Sequence, residues 1–262
     1  MVARFTVVLL VACSSNKPRT ADDATHVARG DAPAIDAIAI DAPPAAPIST
    51  AKTGDLQIRV EWRDVPIPMR ASPGRTTCNT PRLPAVAPTT TWGIPDVLII
   101  VEGAAIPPSA THVVLADCVL TPRLVAASSL VVESAVDRPA SLTFAKRGEL
   151  ASITKLDTGK PIPIQLPIAG HTVTLPLEAN GIYELVASPA GEPRAESAWI
   201  VAASGNAGVT EPNGALLVKD LAPGTYPVSA WLPPRAGAPA KLAKGSATIV
   251  AGDVADLTLE LK

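Results

Sequence analysis

Residues 181–201 read GIYELVASPAGEPRAESAWIV. Ile182, Tyr183, Leu185 and Val186 form a short apolar run rich in strand-forming residues. A polar loop with two prolines follows, and a second apolar run starts at Trp199. Neither run is long enough for a helix, and Pro and Gly punctuate the space between them. The stretch predicts strand, loop and strand.

The same grammar extends in both directions. Leu56, Ile58, Val60 and Trp62 alternate with Gln57, Arg59, Glu61 and Arg63, which predicts a strand with one buried face. Residues 65–91 hold many prolines and read as a long ordered loop pinned by Cys78. Residues 96–102 (DVLIIVE) are continuously apolar, as in a strand buried on both faces. Further strands are predicted at 112–116, 130–133, 161–167 and 171–177. Asn213-Gly214 is a two-residue hairpin signal, and strands follow from Tyr226 to Trp231, over 247–250 and around Leu257, Leu259 and Leu261. With 28 prolines and 3% aromatic residues among 262, the composition suits many short strands joined by turns. The fold class is all-β.

The N-terminus differs. Residues 1–13 (MVARFTVVLLVAC) combine Arg4, a short apolar core and Leu10-Val11-Ala12-Cys13, which resembles a bacterial lipobox. The core is too short to span a bilayer as a helix. Cys13 is then the acylated first residue of the mature chain, and membrane lipid is its partner. Ser14 and Ser15 stand where an Asp would retain such a protein in an inner membrane, so the resemblance implies an outer-membrane address. Residues 14–53 lack aromatic residues and are dense in Ala, Pro, Asp and Thr, as in a disordered tether. As a flexible coil it reaches roughly 35 Å.

Two families supply likenesses for the remainder. Residues 118–126 (CVLTPRLVA) resemble the Cys-x-x-x-Pro-Arg segment ahead of a cupredoxin strand, and 181–201 resemble the last cupredoxin hairpin. Leu221-Ala222-Pro223-Gly224-Thr225-Tyr226 is similar to the Pro-Pro-Gly-Thr-Tyr corner of carboxypeptidase-regulatory-like domains. The resemblance implies a degenerate cupredoxin-like Greek-key sandwich over 113–203. It would be inserted in, or lie beside, a carboxypeptidase-regulatory-like sandwich of 54–112 and 204–262. Copper-bearing relatives carry a first histidine near Ser141 and cysteine, histidine and methionine within 187–197, and this chain has none of them there. The expected function is a non-enzymatic, lipid-anchored envelope protein with a decayed copper site, serving as an interaction or structural module. An atypical copper or electron-transfer site at His112 and His171 is the alternative, and a glycan-binding module centred on Trp92 is another.

The remaining chemistry is sparse. Cys78 and Cys118 are an even pair in an exported chain and are expected to form a disulfide closing about 40 residues, worth roughly 3–4 kcal/mol. Two metal-binding thiolates are the alternative reading. No serine sits in a Gly-x-Ser-x-Gly elbow, no phosphate-binding glycine pattern occurs, and a net charge of −2 without a basic stripe argues against nucleic acid. No catalytic residue and no cofactor are expected, and an envelope protein or glycan is the expected partner. Trp199 and Trp231 read as anchors of the two cores, and Trp92 as exposed.

Overall fold

In a computed structural model that describes residues 52–187, 196–203 and 205–262, the alternating apolar side chains Leu56, Ile58, Val60 and Trp62 are all buried. They lie on or just beyond β1 (Gly54–Glu61). One helical turn, α1 (Ile67–Arg70), interrupts the proline-rich segment, and β2 (Leu98–Val101) follows. Then come β3 (His112–Ala116), β4 (Val119–Thr121), β5 (Leu124–Ala126), β6 (Leu130–Ser134) and β7 (Ala140–Glu149). A single 3₁₀ turn (Leu150–Ser152) separates these from β8 (Ile162–Leu166), β9 (Thr172–Leu175), β10 (Gly181–Ala187) and β11 (Glu196–Val201). The chain closes with β12 (Ala207–Val209), β13 (Ala215–Leu221), β14 (Gly224–Leu232), β15 (Lys241–Ile249) and β16 (Val254–Glu260). The fold is all-β.

The strands build two sandwiches. The first packs the sheet β13-β1-β16 against β12-β2-β14-β15, around Leu56, Ile58, Ile99, Val228 and Leu259. The second packs β4-β3-β6-β9 against β5-β11-β10-β7-β8, around Leu115, Val132, Phe144, Leu185 and Ile200. Phe144 and Tyr183 stack in this second core with ring centroids 4.9 Å apart. The chain leaves the first sandwich after β2, builds the second from β3 to β11, and returns at β12. Strand β1 is held in the middle of its sheet by antiparallel β13 and by parallel β16, from Asp55↔Val254 to Glu61↔Glu260. At the Gly224 corner the Tyr226 hydroxyl donates to the Ala222 carbonyl at 2.9 Å, tying the start of β14 to the preceding turn. Pro163 lies in β8, an edge strand, where a missing N–H costs no internal ladder bond.

Three sequence expectations need correction. The second strand of the 181–201 pair begins at Glu196, because antiparallel register with β10 runs on to Ala187↔Glu196. Polar Glu196 and Ser197 hide that start. Asn213-Gly214 does form a turn, with Gly214 N–H donating to Glu211 at 2.9 Å. The strands on either side, β12 and β13, belong to opposite sheets of the first sandwich, so the turn is a crossover and not a hairpin. Finally, Trp199 and Trp231 do not anchor separate cores. They meet edge to face, 5.7 Å between centroids, in a third apolar cluster between the sandwiches.

That cluster joins Leu98, Ala207 and Trp231 of the first sandwich to Leu124, Ile182, Trp199 and Val201 of the second. It explains the continuous apolar run of β2: Ile99 and Val101 face the first core while Leu98 and Ile100 face the seam. The Trp199 indole N–H crosses the seam to the Pro234 carbonyl at 2.9 Å. Trp199→Ala and Trp231→Ala should each cost about 3–5 kcal/mol in urea denaturation. Because the rings touch, the double variant should lose less than the sum of the two. Wild-type midpoints in both single variants would show that the seam contributes nothing to stability.

Candidate functional site

The loop bearing Trp92 is fixed at its base. Trp62 N–H donates to the Trp92 carbonyl at 3.1 Å, Ile94 N–H to Val60 at 2.9 Å, and Arg59 Nη2 to the Thr91 carbonyl at 2.8 Å. Gly93 and Gly214 touch here. A Cβ on Gly93 would come within 2.2 Å of the Asn213 carbonyl oxygen, and one on Gly214 within 2.5 Å of Gly93 Cα. Trp92 itself takes a left-handed backbone (φ 66°) and is 40% exposed, as the sequence suggests. Its indole borders a shallow depression shared with Arg70, Pro88 and Thr89, a setting in which a flat apolar face can stack on a ligand ring.

Cys78 and Cys118 are joined as a disulfide, with Cα atoms 5.9 Å apart. The bridge ties the proline-rich 65–91 segment to the second sandwich. Arg138 Nη2 lies 2.9 Å from Cys78 Sγ and 2.7 Å from Cys118 Sγ. Cys13 and residues 14–51 lie outside the described residues, as do 188–195 of the loop in which copper-bearing relatives carry ligands. Of the other positions in that comparison, Ala187 is buried at the end of β10. Ser141 is exposed on β7, its hydroxyl donating to Gln165 Oε1 at 3.0 Å.

His112 and His171 are not brought together. His112 pairs across from Val131 on one side of β6, and its Nδ1 is 3.0 Å from Thr111 Oγ1. The His171 carbonyl accepts from Ser134 N–H, beside the opposite end of β6. Strand geometry puts the two roughly 10 Å apart along the sheet and about 10 Å across it. Met69 packs on the first core, far in the fold from both. Among the described residues no group of three or more His, Cys, Asp and Glu could hold a metal ion.

Two features escape sequence reading. A cavity of about 620 Å³ opens where the sandwiches meet, lined by Ile100, Ile153 and Leu242 and by Asn206, Ser229 and Lys244. The Asn206 Oδ1 is buried without a hydrogen-bond partner among the described residues. Glu149 also lines the cavity and is paired with Lys146, whose ammonium is held above the ordinary lysine value by Glu149 and Glu178. The second feature is a buried charge cluster at one end of the seam. Arg123 Nη1 donates to the Pro84 carbonyl at 2.9 Å, Arg235 Nη1 to Ala85 at 3.1 Å, and Arg82 pairs with Glu196. Burial, reinforced by the charge of Arg123, pushes the Arg235 guanidinium down to about 10, against the pull of Asp96. It remains charged at neutral pH. The arginines hold carbonyls of the proline-rich segment against both sandwiches, which no spacing in the sequence announces.

The chain matches no protein-family model, no curated protein and no solved structure. The local chemistry therefore carries the functional reading.

One carboxylate offers a direct check on the seam. Glu184 of β10 sits opposite Trp199, and burial raises its carboxyl above the ordinary value, with Arg147 at 3.6 Å opposing. In the unfolded chain it titrates at the ordinary value. The protonated form therefore favours folding: this contribution is complete below the ordinary carboxylate value and is lost as pH rises through the raised one. Glu184→Gln stays neutral and should be insensitive. Wild-type denaturation midpoints should fall relative to the variant as pH rises above the ordinary carboxylate range. Parallel profiles would mean that Glu184 is solvated.

Proposed function

We propose that this protein is a non-enzymatic, lipid-anchored module of the cell envelope that serves in contact or assembly, its second sandwich a cupredoxin-like domain that has lost its copper site. The observation that carries the reading is the seam. Two sandwiches share a buried apolar contact and leave a mixed polar and apolar cavity at their junction, the kind of place where ligand and partner sites are found. The Cys78–Cys118 bridge fits an oxidising compartment, in agreement with the lipobox reading of residues 10–13. Empty ligand positions, Ser141 among them, support the loss of copper.

The anchor is tested by fractionation. The full chain should sediment with membranes, and Cys13→Ser should move it to the soluble fraction. Unchanged sedimentation would sink the lipid-anchor reading. Native mass spectrometry of the protein made with copper present should give a metal-free mass. Stoichiometric copper would overturn the decayed-site reading and favour a site whose ligands include residues outside the described set.

The exposure of Trp92 favours one further reading, a glycan-binding surface. Trp92→Ala should then abolish co-sedimentation with insoluble cell-wall polysaccharide while moving stability by less than about 1 kcal/mol, because the side chain is not in a core. Equal co-sedimentation would remove Trp92 from consideration.

A further inference from the structure

The disulfide is placed unlike an inert staple. Cys118 is fully buried, whereas Cys78 is only half-buried and lies in a surface depression with Asp117, Val136, Asp137 and Arg138. The Arg138 guanidinium contacts both sulfurs, at 2.9 and 2.7 Å. A neutral disulfide gains little from such a neighbour, but a thiolate gains a charge-assisted hydrogen bond. The carboxylates of Asp117 and Asp137 border the same depression, yet the guanidinium is the charged group in contact with sulfur. The backbone is left-handed at three non-glycine residues around the bridge: Asn79 (φ 64°), Asp117 (φ 47°) and Cys118 (φ 66°). Such conformations persist where surrounding structure imposes them, and they cluster at switch regions.

The segment on the Cys78 side is thinly buried. Residues 71–81 are mostly exposed and bond chiefly among themselves, with Thr76 N–H donating to Thr80 and Arg82 N–H to Gly74, both at 2.9 Å. Beyond the bridge, links of described residues to the second sandwich include long ones: Thr76 Oγ1 to the Asp117 carbonyl at 3.4 Å, Thr77 Oγ1 to Cys118 Sγ at 3.6 Å and Arg138 to Thr77 Oγ1 at 3.5 Å. A stretch so exposed opens locally at low cost.

We propose that Cys78–Cys118 is a thiol–disulfide exchange site, opened by a dithiol, whose reduction releases residues 71–81 from the second sandwich. A thiolate of the incoming dithiol attacks the reachable Cys78 sulfur, the Cys78–Cys118 bond breaks, and Cys118 leaves as a thiolate on Arg138. The second thiol of the reductant, deprotonated, then attacks the mixed disulfide at its own sulfur and releases Cys78. Two electrons and two protons pass from the dithiol, which becomes a disulfide, to the two cysteines. Neither the lipid anchor nor the loss of copper is needed for this inference.

The test uses the detergent-solubilised full chain, reduced and oxidised dithiothreitol in graded ratios, and maleimide trapping read by mass. The bridge should open while tryptophan fluorescence remains native. Arg138→Gln should shift the equilibrium about tenfold toward the disulfide, equivalent to about 30 mV, and Arg138→Lys should restore most of the difference. In the wild-type chain, which needs no substitution, glutathione should form its mixed disulfide on Cys78. Hydrogen exchange should quicken across 71–81 on reduction and stay unchanged in the cores. Opening only on global unfolding, an Arg138→Gln constant within about twofold of wild type, or an adduct on Cys118 would each overturn the proposal.

Discussion

The sheets β12-β2-β14-β15 and β5-β11-β10-β7-β8 bury one face in their own sandwich and turn apolar residues of the other toward each other. Neither sandwich can leave the seam without exposing Leu98, Trp199, Val201 and Trp231 to water. Each large side chain so exposed costs about 1.5–3 kcal/mol, a large share of the net stability of an ordinary domain. The edge-to-face tryptophans add direction to that burial, and the Trp199 N–H bond to Pro234 fixes the registration. Connectivity reinforces the contact, since the chain crosses between sandwiches on both sides of the second one.

The proline-rich segment completes the join at one end of the seam. Its carbonyls at Pro84 and Ala85 accept from Arg123 and Arg235, one rooted beside β5 and the other beyond β14. Buried guanidiniums are costly, and here they are tolerated because the segment offers backbone oxygens while Asp96 and Glu196 supply opposite charge. The disulfide fixes the same segment at its outer tip, where apolar burial is thin. The segment is thus held rigidly near Val86 and loosely near Cys78, and that gradient gives the bridge a local consequence when it opens.

Sequence periodicity located most strands because a half-buried sheet writes itself as alternation. Leu56, Ile58, Val60 and Trp62 are buried, and β3 spans 112–116 as its pattern predicts. Where burial is two-sided or the partner is polar, the signal blurs. Glu196 and Ser197 look like loop residues but pair across β10, and Asn213-Gly214 marks a turn without saying which sheets it joins. The loop position of Trp92 made exposure one of two readings, and the structure selects it.

By itself the sequence determined the all-β class and the one-sided strands, because each depends on the residue type and its immediate neighbours. Pairing of Cys78 with Cys118 was also within reach, two cysteines in the region that folds leaving one intramolecular choice. Only the tertiary structure decided that Trp199 and Trp231 meet, that His112 and His171 flank β6 without converging, and that Arg138 rests on both sulfurs. It alone set the cavity at the seam. These are juxtapositions of residues far apart in the chain, and their distances are fixed by sheet order and register, which no local pattern encodes.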